Sequence, residues 1–375
     1  MNLRTRGEAH FDEIVTFDAH ACRIGQHAVR DALQQPAFAG KVGLLDFLDR
    51  SATDAHLAIT VPVYNEAELL PRCLGALHSA IVNADMKAAV VFAVHDSDDV
   101  SFGLIREWFG DNGHAGCALE LEFDREIRDA PHARRIAMDV AAHMVPTGVL
   151  LTTDADTHVA PGWCRNMMDL ASSGHDLVCE DVRLDDGELT DLPERVRDVG
   201  EAERAYFNVV EELWVRWTEG VFGTFAHRAS GASMAIRTPV YTALGGLPLP
   251  SSGEDSALCE LALQSGYRVI TIHDGGTRTS ARMVGRADGG CGTTLALRAT
   301  MDDPVCDGRL ISVANLFRKA RRLNPALVMP QGAEKFARSN ALACDKAAPL
   351  RYTQVLHELA IAQGLLRQTE TVDAR

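Results

Sequence analysis

The chain has 375 residues, 46% of them hydrophobic, enough for a sizeable core in one large domain or two modest ones. Its 37 basic and 52 acidic residues give a formal net charge of −15, which argues against a nucleic-acid binder, because phosphate contacts need basic surface. Nine cysteines without a CxxC pair read as reduced thiols, and no stretch reaches the roughly 18 apolar residues of a membrane span.

The opening MNLRTRGEAHFDEIV has no apolar centre, so no signal peptide is read there. The expectation is a cytoplasmic protein, with loose attachment to a membrane surface left open. Residues 1–55 read as a helical extension, with short apolar clusters AVRDAL and VGLLDFL among charges. The texture changes at His56. HLAITVPVY is an apolar, β-branched run that ends in Asn65-Glu66, followed by the helix-like EAELLPRCLGALHSAI. AAVVFAVHDSDD is a second strand ending in acids, followed by FGLIREWF; CALELEF is a third, followed by HARRIAMDVAAHM; GVLLTTDAD is a fourth. Strands alternating with helices predict an α/β fold, a mostly parallel sheet with helices on its faces. Residues 182–230 read as acidic and helical (RAYFNVVEELWVRW). SGASMAIRTPVYTALGG then reads as a strand and a short helix, and SSGEDSALCELALQSGYRVITIHD as a turn, a helix and a strand. After about residue 290 the chain is again helical and partly basic. There is no internal repeat.

In such sheets ligands collect beyond the carboxyl ends of the strands, and those ends carry Asn65-Glu66, Asp96 and the pair Asp154/Asp156. Asp154 and Asp156 alternate in an extended segment, so both point to one side. Two close carboxylates repel, and a hard divalent cation with open positions for phosphate oxygens relieves that repulsion. An acidic loop capping the next helix is the plainer reading. The aspartyl-phosphate motif D-x-D-x-[TV] fails here, because its last place is His158.

Glu254-Asp255, after Gly253 and ahead of a helix, reads either as an N-cap or as a general base that takes a proton from an acceptor hydroxyl. Asp96 is a turn former or an acceptor for the imide of a uracil-like base. Arg134 and Arg135 are solvated helix charges or phosphate ligands near a helix start. Ser280, Arg282 and Arg286 lie in a basic, glycine-rich stretch that is either plain surface loop or a clasp for a pyrophosphate.

The order of these pieces resembles the family 2 glycosyltransferases of GT-A fold. The resemblance is carried by VPVYNEAELLPRCL, Asp96, HARRIAMDVAA, LLTTDADTHVAPGW, GASMAIRTPVYTALGG and GED, and spans roughly residues 57–285. It implies a GT-A (Rossmann-like) domain over residues 56–290 between helical extensions, 1–55 and 291–375, either of which is a candidate for packing, acceptor binding or homo-oligomer formation. It implies a metal-dependent transfer, with inversion, of a sugar from a UDP- or GDP-sugar to an acceptor hydroxyl. By resemblance Pro62, Tyr64, Asn65 and Glu66 line the nucleotide pocket, with Tyr64 against the base and Asp96 hydrogen-bonded to it. Arg134 meets base or phosphates; Arg135, Arg282 and Arg286 are further candidates for the donor nucleotide from their own sequence context. Asp154 meets the ribose or the metal, Asp156 the Mg²⁺ or Mn²⁺, and Asp255, beside Glu254, is the base. Two departures stand out. The family's first acid after the second strand is His95 here. The slot for a metal-binding histidine falls near Thr279-Ser280, with His273 and His227 the only nearby histidines. Two rivals remain: a nucleotidyltransferase, which usually carries a glycine-rich basic loop where this chain has VPVYNEAE, and a non-catalytic scaffold that keeps the fold.

Overall fold

The structure, a computed structural model, describes residues 24–50, 54–221, 223–285, 290–327 and 348–373. The chain runs from α1 (Ile24–Leu33) through β1 (Val42–Arg50), β2 (Leu57–Val63), α2 (Leu70–Ala84), β3 (Ala88–His95) and α3 (Ser101–Asn112) to β4 (Ala115–Phe123). It continues with α4 (Ala130–Met144), β5 (Val149–Thr152), β6 (Thr157–His158), α5 (Trp163–Ser172), β7 (Leu177–Glu180) and β8 (Arg183–Leu184). Next come α6 (Glu194–Trp217), β9 (Met234–Arg237), α7 (Thr238–Ala243), α8 (Glu254–Gln264), β10 (Val269–Ile272) and β11 (Arg278–Thr279). The last helices are α9 (Cys291–Thr300), α10 (Val313–Leu323) and α11 (Tyr352–Asp373).

Two compact units result: Met1–Asp186 with His227–Ser280, and Gly187–Ala226 with Ala281–Arg375. The first holds an eight-stranded sheet in the order β1-β4-β3-β2-β5-β9-β7-β10. β4, β3, β2 and β5 are mutually parallel, as are β7 and β10; β1 and β9 are antiparallel to their neighbours. The mostly parallel α/β sheet expected from the sequence is therefore present. β2 and β3 are buried at every position, the mark of central parallel strands covered on both faces. Alternate residues feed two cores. Ala58, Ala89, Val91 and Leu150 pack with α1 and α4, while Ile59, Val90, Phe92 and Leu151 pack with α2, α3 and α5. A smaller sheet, β6-β11-β8, stands beside the large one.

One expectation needs correction. VGLLDFL is not helical: it lies in β1, the antiparallel edge strand paired with β4 from Val42↔Phe123 to Arg50↔Gly116, with a bulge between Leu44 and Asp46. An edge strand is only half covered, so its polar residues mimic the spacing of an amphipathic helix. Residues 187–226 fall in the second unit, with the C-terminal helices. The aromatic face of α6 explains this. Tyr206, Phe207, Trp214 and Trp217 bury in one core with Leu316 and Phe317 of α10 and Val355 and Leu365 of α11. Residues 1–23, expected to be helical, lie outside the described residues.

Candidate functional site

β2, β3 and β5 run in parallel, so their carboxyl ends share one edge of the sheet. β5 pairs with β2 only as far as Thr60↔Thr152, whereas β2 and β3 stay paired to Val63↔Val94. Past its last tie, Thr153 N to the Thr60 carbonyl (3.1 Å), β5 turns away. Pro62, which lacks an N–H, falls where that neighbour has gone. The departing segment makes a turn, Thr157 N donating to the Asp154 carbonyl (3.1 Å), that buries Ala155 and leaves Asp154 and Asp156 half-buried. Their charge is felt by a reporter group. Burial first, and then Asp156, Asp154 and Glu66, push the Cys73 thiol far above its ordinary range.

Arg134 of α4 reaches the same place. Asp129 caps this helix, accepting from His132 N (2.9 Å), and the Arg134 side chain, 4% exposed, makes four hydrogen bonds to protein. Nε donates to Glu254 Oε1 (3.0 Å), Nη1 to Thr152 Oγ1 (2.6 Å) and the Gly231 carbonyl (2.9 Å), and Nη2 to Asp154 Oδ1 (2.6 Å). Burial disfavours the cation, but Asp154, Glu254 and Asp255 more than offset it and hold the guanidinium above its ordinary value. Arg134 is therefore a hub that orients the acids.

The segment ahead of β9 completes the arrangement. Gly231 N donates to Asp255 Oδ2 (3.0 Å), the Ala232 carbonyl accepts from Thr153 Oγ1 (2.9 Å), and Ser233 Oγ donates to Glu180 Oε2 (2.5 Å). Asp255, half-buried in the first turn of α8, is thereby fixed beside Arg134. Glu254 does not cap α8, whose N-cap is Gly253 with φ +76°; it is buried against Arg134. Of the two carboxylates, Asp255 is half-buried and Glu254 buried.

At the ends of β2 and β3, three rings stack. Tyr64 lies on His95 (centroids 5.2 Å, 21°) and His95 on Phe123 (5.1 Å, 15°). Asp96, in the left-handed region at φ +46°, has a side chain only 3% exposed. Its Oδ1 accepts from Phe123 N (3.2 Å) and lies 3.3 Å from Arg128 Nη2, and its Oδ2 is 3.4 Å from His95 Nδ1. Burial alone would raise its carboxyl; His95, the Phe123 amide and Arg128 outweigh that and hold it below the ordinary value. Asn65, also left-handed, ties the two strand ends together. Its N donates to Ser97 Oγ (3.0 Å) and its Oδ1 accepts from Asp98 N (2.8 Å). Glu66 is buried next to it, its N donating to Ser101 Oγ (3.0 Å).

Arg135 is turned elsewhere. Arg135, one step around α4, is occupied by Asp139, the carbonyls of Leu247 and Gly245, and Gln35, so it pins the helix rather than facing the carboxylates. His273 lies 3.9 Å from Asp181 and His227 3.1 Å from Thr271 Oγ1, away from the pair Asp154/Asp156. Ser280 ends the first unit, buried, and Arg282 belongs to the second. Arg286 lies outside the described residues. The sequence reading missed Thr152, Gly231, Ser233, Glu180, Thr277 and Arg128. Only SGAS offered a signal, a small-residue run where backbones approach closely.

Among the described residues no group of three or more His, Cys, Asp or Glu side chains is placed to hold a metal ion. The two half-buried carboxylates Asp154 and Asp156 are hard oxygen donors of the kind a divalent cation takes beside phosphate and water ligands. The described cysteines are free thiols, and among the described residues no helix is long and apolar enough to cross a membrane.

No protein-family model matches the chain, and no curated protein matches it. Similar solved structures include the mannosyltransferase PcManGT from Pyrobaculum calidifontis in complex with GDP-Man and Mn²⁺, at 19% identity and TM-score 0.45 over 92% of this chain and 95% of that one. Glucosyl-3-phosphoglycerate synthase from Mycobacterium tuberculosis in complex with Mn²⁺, UDP and phosphoglyceric acid is similar at 14% identity and TM-score 0.39, over 66% and 80%. S. aureus TarS 1-349 in complex with UDP is similar at 12% identity and TM-score 0.40, over 74% and 76%. At these values the likeness bears on neither the substrate nor the site residues of this chain.

Proposed function

We propose that the protein is a metal-dependent glycosyltransferase, moving a sugar from a UDP- or GDP-sugar to an acceptor hydroxyl with inversion, in the cytoplasm. The observation that supports this most is the pair Asp154 and Asp156. Both lie half-buried just past the carboxyl end of β5, and Asp255 is linked to Asp154 through Gly231 and Arg134.

In this reading Tyr64 would carry the base on its ring, and Asp156, with Asp154, would hold Mg²⁺ or Mn²⁺. The bound ion supplies positive charge that offsets the charge developing on the leaving nucleoside diphosphate. Asp255 takes the proton of the acceptor hydroxyl as its oxygen attacks the anomeric carbon. Its two oxygens accept from Gly231 N and Ser256 N, and a carboxylate has lone pairs beyond those two bonds. Arg134 keeps Asp154 turned toward the site and shields Glu254.

The test is thermal stability with UDP, GDP, CDP and dTDP, each with and without Mn²⁺, for the wild type and Asp156→Ala. A shift with one nucleotide that needs the metal and vanishes in the variant supports the reading and names the base. No shift with any nucleotide overturns it and favours a non-catalytic scaffold.

A further inference from the structure

Asp156 is steered from the small sheet. Its Oδ1 accepts from Thr279 Oγ1 (3.3 Å), and Thr157 Oγ1 donates to Thr279 Oγ1 (3.0 Å), so the carboxylate follows the position of β11. β11 is only two residues long and pairs with two strands equally short. Ladders of that length hold little by themselves.

What holds β11 lies just upstream. Glu180, the last residue of β7, is 1% exposed, and no cation pairs with it among the described residues. Its Oε1 accepts from Thr277 N (2.9 Å), and its Oε2 accepts from Thr277 Oγ1 (2.7 Å) and Ser233 Oγ (2.5 Å). Ser233 Oγ in turn accepts from Trp163 Nε1 (2.8 Å). Ser233 and Thr277 are fully buried and Trp163 nearly so. Gly275 passes so close that a Cβ there would meet Glu180 Oε1 at 2.3 Å. A carboxylate buried without a cation is costly unless donors surround it, and here two of its three donors belong to the residue that leads into β11.

We propose that Glu180 is a positioning residue: it fixes Thr277, hence β11 and Thr279, and so sets the Asp156 carboxylate for the metal-bound diphosphate. The inference rests on the donor reading above. The alternative is a plain structural anchor, whose loss loosens the loop without changing what Asp156 does.

Two measurements separate these. Amide hydrogen exchange over residues 277–279 reads the hold on β11, and electron paramagnetic resonance counts Mn²⁺ bound in the presence of UDP or GDP. In Glu180→Gln, exchange is expected to rise and Mn²⁺ affinity to fall, each about tenfold, on the scale of one or two lost hydrogen bonds. Thr277→Val, which keeps the shape and removes one donor, is expected to lower Mn²⁺ affinity about threefold and serves if the first variant does not fold. Faster exchange with unchanged Mn²⁺ affinity overturns the proposal in favour of the plain anchor, and unchanged exchange overturns it outright. A wild type that binds no Mn²⁺ with either nucleotide instead removes the donor reading and this proposal with it, a result distinguishable from both.

Discussion

Arg134 and Gly231 meet too closely for any side chain to stand between them. Arg134 Nη1 donates to the Gly231 carbonyl at 2.9 Å, and a Cβ on residue 231 would lie 2.5 Å from Nη2. Gly231→Ala therefore displaces a guanidinium that is anchored by four hydrogen bonds. The expected outcome is a loss of about 1–3 kcal/mol in chemical denaturation, as buried bonds are broken, and at least about tenfold weaker metal-dependent nucleotide binding. Wild-type values for both would show that Arg134 yields freely.

Arg134→Met keeps an unbranched side chain and removes the charge. Glu254, buried, and Asp154 are then left facing each other without a cation, a change that typically costs about 3–5 kcal/mol. Adding Glu254→Gln should recover part of that loss. A double-mutant cycle in denaturant reads the coupling, and strict additivity would deny that the two form a unit.

Binding and chemistry should come apart at two carboxylates. Asp156→Ala is expected to abolish the metal-dependent nucleotide shift. Asp255→Asn should keep that shift and lower transfer by about 10²-fold or more, the scale of general-base catalysis. Product formation beside thermal shift decides, and equal loss of binding in both variants would make Asp255 a donor ligand instead.

Asp96 in the first unit and Glu203 in the second respond to pH in opposite directions. The Asp96 carboxyl is held below its ordinary value near 3.8, so its contribution is present above that pH and is lost as pH falls through the lower folded value. Asp96→Asn should flatten the acid limb of the melting profile below about pH 4. In the second unit, burial pushes Glu203 and Glu358 above their ordinary value of 4.5, against the opposing Arg298 and the Val313 amide. Their contribution is full below that value and is lost as pH rises through the raised one, so this unit should weaken from about pH 4.5 upward. Asp307, held low by Arg309 against burial, acts only on the acid side of 3.8. Melting Glu203→Gln across that window should show a shallower decline.

The four central strands and their helices were legible because parallel strands covered on both faces are continuous apolar runs, and β2, β3 and the start of β4 are nearly such runs. β1 was not, since an edge strand carrying Asp46 and Asp49 shares its pattern with a helix. The two-residue strands β6, β8 and β11 are too short to leave any period. In the site, Asp154, Asp156, Asp96 and Asp255 could be picked out because acids at strand ends and helix starts stand out locally. Which of Arg134 and Arg135 faces them could not, because neighbours on a helix point about 100° apart and only the sheet decides between them. Glu180, Ser233 and Thr277 escaped for a similar reason: 53 and 97 positions of chain separate Glu180 from its two partners.

One reversal in the sheet has a wider effect. β9 runs against β5, with Met234 opposite Thr152 and Arg237 opposite Val149, so it is the leading end of β9 that reaches the edge where the parallel strands finish. The site thus receives backbone from a strand on its way in, and Gly231, Ala232 and Ser233 meet Arg134, Thr153 and Glu180 before β9 has begun to pair. Length is therefore constrained asymmetrically around this strand. A residue inserted between Ser230 and Met234 shifts three tethers at once, while one inserted after Arg237 falls at the far edge, where the chain is already turning into α7.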